Sequence, residues 1–256
     1  MTKVVGIIQG RLGSSRFPGK TLEKIAGKPM LEFLVCRLRR CTELDEIVLA
    51  TTDLPIDDPL VDCAHSKNLG CFRGSESDVL DRYFRCAEKF KAQVIVRITA
   101  DDPLKDPEVI DHAIKIFKQS EHLDYVSNTI NPTFPEGIDI EVLSFSALCK
   151  AAREATLLSE REHVTPYIWK NEQIFSCLNF VARENDSDVR LTVDYPIDLE
   201  VMNLLNELVE DFQSSAYQDV VKALRSRPGL LSLQQGIQRN AGYCLAVKKE
   251  KEHGEW

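Results

Sequence analysis

No stretch of this 256-residue chain is apolar over the length needed to cross a bilayer, which excludes a helical membrane protein. Positive charge is not in surplus either. Thirty-two Lys and Arg against 40 Asp and Glu leave a formal net charge of −8, which argues against a nucleic-acid or anionic-membrane surface. None of the eight cysteines forms C-x-x-C, so a zinc or redox motif has no support, and reduced, largely buried thiols of a cytoplasmic protein are expected. There is no internal repeat and no low-complexity linker. Met1-Thr2-Lys3 leads straight into an apolar run, so no signal peptide is expected. Both best-known phosphate loops, G-x-x-x-x-G-K-[ST] and G-x-G-x-x-G, are missing as well. The length fits one large domain, or a domain with an arm.

Against that acidic background, one basic stretch stands out: Gln9-Gly10-Arg11-Leu12-Gly13-Ser14-Ser15-Arg16-Phe17-Pro18-Gly19-Lys20. It follows the apolar run Val4 to Ile8, which reads as a buried strand. Glycines let a backbone approach an anion closely, exposed N–H groups make an anion-binding concavity, and arginine grips phosphate through paired hydrogen bonds. Loops at strand carboxyl ends carry sites in open α/β sheets. A triphosphate is the expected guest; a solvated basic loop with turn glycines is the alternative.

Runs rich in Val and Ile at 4–8, 46–51 and 93–98 alternate with amphipathic helical patterns at Pro29 to Cys41, Asp58 to Leu69 and Ser77 to Phe90. This alternation predicts a doubly wound, mostly parallel sheet with right-handed crossovers. Arg97-Ile98-Thr99-Ala100-Asp101-Asp102-Pro103-Leu104 ends such a strand in two carboxylates. Hard oxygen ligands there suit Mg²⁺ bound together with substrate phosphates, although Asp-Asp-Pro can also cap the helix expected from Asp106-Pro107. Leu123 to Ser127 and residues 174–182 read as further strands. Pro135 to Val142 alternates acid and aliphatic, as a half-exposed strand does. Helices are expected at Phe145 to Ala155 and Arg161 to Trp169. Arg190 to Val193 reads as another strand ending in an acid, Asp194, with a helix running on through Leu208 and Asp198 steadying its first turn. The tail after Val247 is expected to fray.

The pattern R-x-x-S-S-R-x-P-G-K resembles the activator loop of the CMP-sugar synthetases, that is, the acylneuraminate and 3-deoxy-octulosonate cytidylyltransferases. The strongest likeness is to the branch named for spore coat polysaccharide biosynthesis protein F, and it spans roughly the whole chain. Asp101 matches the family's Gly-Asp-x-Pro segment, and Asp194-Tyr195-Pro196-Ile197-Asp198-Leu199 matches its Asp-x-Pro-x-Asp-Leu. The resemblance implies a nucleotide-diphospho-sugar transferase-like domain covering residues 1–256, with residues 128–185 forming a small β/α dimerisation arm and the acceptor-sugar region. It implies CTP and an acidic 2-keto-3-deoxy sugar as substrates, Mg²⁺ as cofactor, and a homodimer. Arg11, Arg16, Lys20, Asp101 and Asp194 become the catalytic set, with both aspartates on the metal. Gln9, Gly10, Ser14, Ser15, Arg73 and Ala100 join Arg11, Arg16, Lys20 and Asp101 around the nucleotide, Arg73 near the base. Glu136, Asp139, Glu141, Arg161 and His163 fall to the sugar. From the residues alone, Arg73-Gly74-Ser75 is equally a turn with a Ser cap, the acids at 136–141 equally a solvated face, and His163 equally structural. A metal-dependent glycosyltransferase, a sugar-1-phosphate nucleotidylyltransferase and a non-catalytic nucleotide-binding subunit are the competing functions.

Overall fold

The computed structural model describes residues 2–253. Its first half runs β1 (Val4–Gln9), a short hairpin of β2 (Lys24–Ile25) and β3 (Lys28–Pro29), α1 (Met30–Leu38), β4 (Glu46–Thr52), α2 (Asp58–Ser66), β5 (Gly70–Gly74), α3 (Val79–Lys89), β6 (Val94–Thr99) and α4 (Pro107–Gln119). The second half runs β7 (Tyr125–Ser127), β8 (Glu141–Ser144), α5 (Phe145–Glu154), α6 (Leu158–His163), α7 (Pro166–Trp169), β9 (Cys177–Asn179), α8 (Pro196–Leu208), α9 (Tyr217–Arg225), α10 (Pro228–Leu233) and α11 (Ala241–His253).

Seven strands form one sheet in the order β5-β4-β1-β6-β8-β7-β9. β1 lies inside it between β4 and β6, parallel to both, with Gly6 level with both Ile47 and Val96. Its side chains alternate between two cores. Val4 and Ile8 join the layer of α1, α4 and α8, while Val5 and Ile7 join that of α3 and α5. Both sheet faces are therefore covered, as near-continuous apolar strands require. Helix starts follow the sequence signals: Asp78 accepts from the Asp81 N–H at 2.9 Å, and Asp106 accepts from Glu108 ahead of α4, whose first residue is Pro107. All eight cysteines are free thiols.

Four segments differ from expectation. Pro135 to Val142 is not a half-exposed strand. Only Glu141–Ser144 is extended as β8, which inserts antiparallel between β6 and β7 and buries Ile138, Ile140 and Val142. The two-residue alternation is real, but its acids meet buried cations rather than water. Because β8 runs against its neighbours, its first residue, Glu141, lands opposite Arg97 toward the carboxyl end of β6. Arg190 to Val193 forms no strand; a single bridge links Arg190 to Glu136, and the Val193 N–H donates to the Asp101 carbonyl at 2.8 Å. The helix expected from Arg161 to Trp169 is two short ones, broken where Val164 takes a φ of 73°. The tail does not fray at Val247. α11 continues through it, and Glu250, 6% exposed, accepts from the N–H and hydroxyl of Ser159 at the start of α6.

Candidate active site

The loop after β1 is held in place before any ligand enters it. Leu12 N–H donates to Asp57 at 2.7 Å, and Gly19 N–H donates to the Leu12 carbonyl at 3.0 Å. Gly19 sits at φ 77°, which a residue with a Cβ adopts only with strain. A Cβ at Gly10 would lie 3.1 Å from that of Ala100, so the ends of β1 and β6 meet closely. That loop delivers Lys20 into the fold with 7% of the residue exposed. Its ammonium donates to Asp101 Oδ2 at 2.8 Å, Asp194 Oδ1 at 2.8 Å and the Val193 carbonyl at 3.0 Å. Arg16 reaches the same Asp194 oxygen at 2.8 Å and lies over the Tyr195 ring. Two carboxylates 93 positions apart thus share one cation.

The electrostatics follow from that sharing. Burial works against the charge on Lys20, but the two aspartates outweigh it and hold its pKa above the usual lysine value. Burial likewise opposes ionisation of Asp101, yet Lys20, with a hydrogen bond from Thr99, brings its pKa down to about 2. Beneath them sits Arg190, bonded to Glu136 at 2.6 Å, Asp194 at 3.2 Å and Asp198 at 3.0 Å. Asp198 in turn accepts from the N–H groups of Asp194 and Tyr195 at 2.9 Å, steadying the first turn of α8 as the sequence leads one to expect.

Beside the paired aspartates opens a cavity of about 330 Å³. Glu136, Asp139, Glu141 and His163 line it, as do Arg97, Lys105 and Trp169. Each acid has a cation: Glu136 has Arg190, Asp139 has Arg239, Glu141 has Arg97, and Asp102 has Lys105 at 2.8 Å. Burial pushes Glu136 and Asp139 above the ordinary carboxylate range. For Glu141, Arg97 and hydrogen bonds from Thr165 and Tyr125 overcome burial and hold it below. His163 is pushed down to about 4 by burial and by Arg97, so its ring is neutral, and its buried Nε2 has no hydrogen-bond partner among the described residues.

Not every residue expected at the site reaches it. Arg73 donates to the Thr52 and Leu54 carbonyls and to Asp58, pinning the segment after β4. Arg161 is tied to Asp78 and to the carbonyls of Ala152 and Ala155 and does not line the cavity. Arg11 pairs with Glu76 at 3.2 Å on the exposed side of the loop. Ser14 accepts from the Phe17 N–H at 3.3 Å, while Ser15 is exposed. Gln9 carries a buried Oε1 with no partner among the described residues, and Ala100 donates to its carbonyl at 2.8 Å. Conversely, the sequence reading passed over Arg190, Arg97, Lys105 and the segment Arg239–Tyr243. Arg97 carried a signal: it is a lone cation inside Val-Ile-Val-Arg-Ile-Thr, which a buried strand tolerates only with a partner. The C-terminal segment carried none.

A basic glycine-rich loop folded over two carboxylates at the carboxyl end of a mostly parallel sheet, beside a polar cavity, defines a nucleotidyltransferase. Residues 5–235 match the cytidylyltransferase family, and the chain belongs to it. It is 32% identical over 236 residues to the spore coat polysaccharide biosynthesis protein SpsF of Bacillus subtilis, which covers 89% of this chain and 96% of that protein. An uncharacterised Methanocaldococcus jannaschii protein is 40% identical over 197 residues, 75% of this chain and 78% of its own length. A cytidylyltransferase structure from Leptospira borgpetersenii superposes with a TM-score of 0.88 at 30% identity, covering 93% of this chain and all of that one.

Proposed function

We propose that the protein transfers CMP from CTP to the anomeric hydroxyl of an acidic 2-keto-3-deoxy sugar, releasing pyrophosphate, in cytoplasmic synthesis of a surface glycan. The observation that carries this reading is the meeting of Arg16 and Lys20 with Asp101 and Asp194 at one point on the wall of the cavity. A bond forms between the sugar oxygen and the α-phosphorus as the bond to the bridging oxygen breaks, the hydroxyl proton passes to solvent, and the charge leaves with the pyrophosphate. Arg16 and Lys20 are placed to bind that charge, since a flexible cation pair can move from aspartate to phosphate as the ligand enters. Lys20 is the stronger contributor because its buried ammonium exchanges one set of oxygens for another without meeting water. Two relatives support the substrates. A 3-deoxy-manno-octulosonate cytidylyltransferase of Chlamydia trachomatis is 34% identical over 143 residues, 54% of each chain. A CMP-2-keto-3-deoxy-manno-octonic acid synthetase complexed with CTP shares the fold, with a TM-score of 0.64 at 18% identity.

The residues fit a magnesium ion. Asp101 and Asp194 are hard oxygen donors that already converge on a single cation, the Lys20 ammonium. Among the described residues, no group of three or more His, Cys, Asp and Glu side chains gathers to hold a metal, and substrate phosphates and water would complete the shell of an ion held there. When bound, the ion supplies charge neutralisation at the phosphates and a lower pKa for the attacking hydroxyl. Arg190 holds Asp194 in place for this from beneath. His163, with a pKa of about 4, is a poor general base, and its neutral ring orients substrate instead.

We also read the protein as a homodimer formed through residues 128–185. β9 is an edge strand, with Ile174, Leu178 and Val181 exposed by 44%, 36% and 60%. No helix among the described residues is long and apolar enough to cross a membrane. The test is pyrophosphate release from each of CTP, UTP, GTP and ATP with a panel of eight- and nine-carbon keto acids. CTP-dependent release with an acid is expected. Preference for a purine triphosphate and a sugar 1-phosphate would replace this reading with a sugar-1-phosphate nucleotidylyltransferase, and use of a preformed nucleotide-sugar would replace it with a glycosyltransferase.

A further inference from the structure

The family match ends at residue 235, yet the chain returns to the cavity after that point. Asn240, Ala241, Gly242 and Tyr243 all line it. They are fastened there from both ends. Upstream, Arg239 donates to the Phe134 carbonyl at 3.0 Å and to Asp139, and the Asn240 N–H donates to Glu136 Oε1 at 2.9 Å. Downstream, α11 is moored by Glu250 on the first turn of α6, the helix that presents His163. Asn240 takes a φ of 54°, turning the chain into α11 directly over the cavity wall.

The seated residues form a surface of definite shape. The Tyr243 ring stands edge-on to His163, centroids 5.3 Å apart, and meets Trp169 at 5.9 Å. Gly242 covers His163 at close range: a Cβ there would lie 3.6 Å from His163 Cε1 and 3.9 Å from a guanidinium nitrogen of Arg16. A larger side chain at 242 would therefore enter the space between the phosphate loop and the cavity. Glu136 and Asp139, the acids that fasten the segment, are themselves cavity residues. The segment thus touches the acceptor's space and borders the phosphate loop at Arg16.

We propose that Arg239–Tyr243 is the specificity-determining wall of the acceptor pocket, with the Tyr243 ring limiting how large a sugar can extend past His163 and Trp169, and the small residue at 242 leaving that space open. This rests on the cavity's being the acceptor site. A ring packed on other rings resists displacement, so the wall discriminates by size, as a hydrophobic pocket does.

The test compares the full-length wild type with Tyr243→Ala and Gly242→Leu, using CTP with N-acetylneuraminate and with 3-deoxy-manno-octulosonate. Tyr243→Ala is expected to shift the ratio of kcat/KM for the two acids about tenfold toward the larger, and Gly242→Leu to shift it the other way. KM for CTP is expected to change by less than about twofold in Tyr243→Ala, whose ring packs on His163 and Trp169. An unchanged ratio, or a loss confined to CTP, overturns the wall. If the wild type uses neither acid, the proposed acceptor class fails, and the wall is read without substrate from acrylamide quenching of Trp169, with Trp256 replaced by Phe throughout. Removing the Tyr243 ring should then raise the quenching constant by about twofold or more, because Trp169 loses its cover. An unaltered constant refutes the wall whatever the substrate.

Discussion

Lys20 shows how one residue ties sequence chemistry to fold. From the loop composition it reads as a free cation waiting for phosphate. In the structure it is buried between Asp101 and Asp194 and joins two distant parts of the fold. Lys20→Ala is expected to cut turnover about a hundredfold through loss of a transition-state charge contact. It should also lower stability by about 3 kcal/mol, because two carboxylates are left facing each other. Parallel measurements of kcat and urea unfolding check both, and full stability with full activity would contradict the assignment. His163 carries a pH signature. Its folded pKa of about 4 lies below its ordinary value of 6.5, so as pH falls through that window the unfolded chain takes up a proton before the folded one does. Stability should therefore fall between about pH 6.5 and 4 more steeply in the wild type than in His163→Gln. Identical slopes would show that the ring titrates freely. The meeting of the basic loop with Asp101 and Asp194 was legible because a Gly-rich basic loop and acids that close apolar runs have few other uses. Arg73 and Arg161 pin neighbouring segments in the structure, and an arginine near a site and an arginine pinning a loop read alike in sequence.

Elements were legible where burial imposes a period. β1, β4, β6 and α8 fall within a residue or two of the expected limits, since both sheet faces are covered and proline opens α8 at its first residue. The segment that carries Asp194 was not legible as it stands, because its geometry is set by what lies across from it. Gly137 has a φ of 102°, and a Cβ there would sit 2.6 Å from the Leu191 carbonyl. Only glycine lets the chain at 136–138 lie against 190–192 and so bring Asp194 to Asp101. Gly137→Ala is expected to cost roughly 3 kcal/mol from strain and overlap together. It should reduce turnover beyond what the lost stability explains, assayed well below the melting temperature. A variant with normal melting and normal rate would show that the segment is not seated through this contact. The split between α6 and α7 at Val164 escaped notice for a related reason: helical periodicity on either side hides a single residue of positive φ.

On the scale of the molecule, the doubly wound sheet followed from strand–helix alternation, whereas the antiparallel insertion of β8 and the return of the C-terminal helix did not. Both depend on contacts across more than forty residues, for which local pattern holds no record. The exposed apolar residues along β9 bear on assembly. Val181→Glu is expected to shift a homodimer toward monomer in sedimentation velocity, with folding intact, since charge on an exposed edge opposes pairing. An unchanged sedimentation coefficient would contradict a homodimer formed through this edge. The whole arrangement has one purpose in this account, to bring Asp101 and Asp194, 93 positions apart in the chain, to a single charge. The most direct test is Mg²⁺-dependent pyrophosphate release from CTP in the wild type, Asp101→Asn and Asp194→Asn, each shown to be folded. The account predicts that each substitution alone reduces the rate about a hundredfold or more. Full Mg²⁺-dependent release by either variant would contradict it.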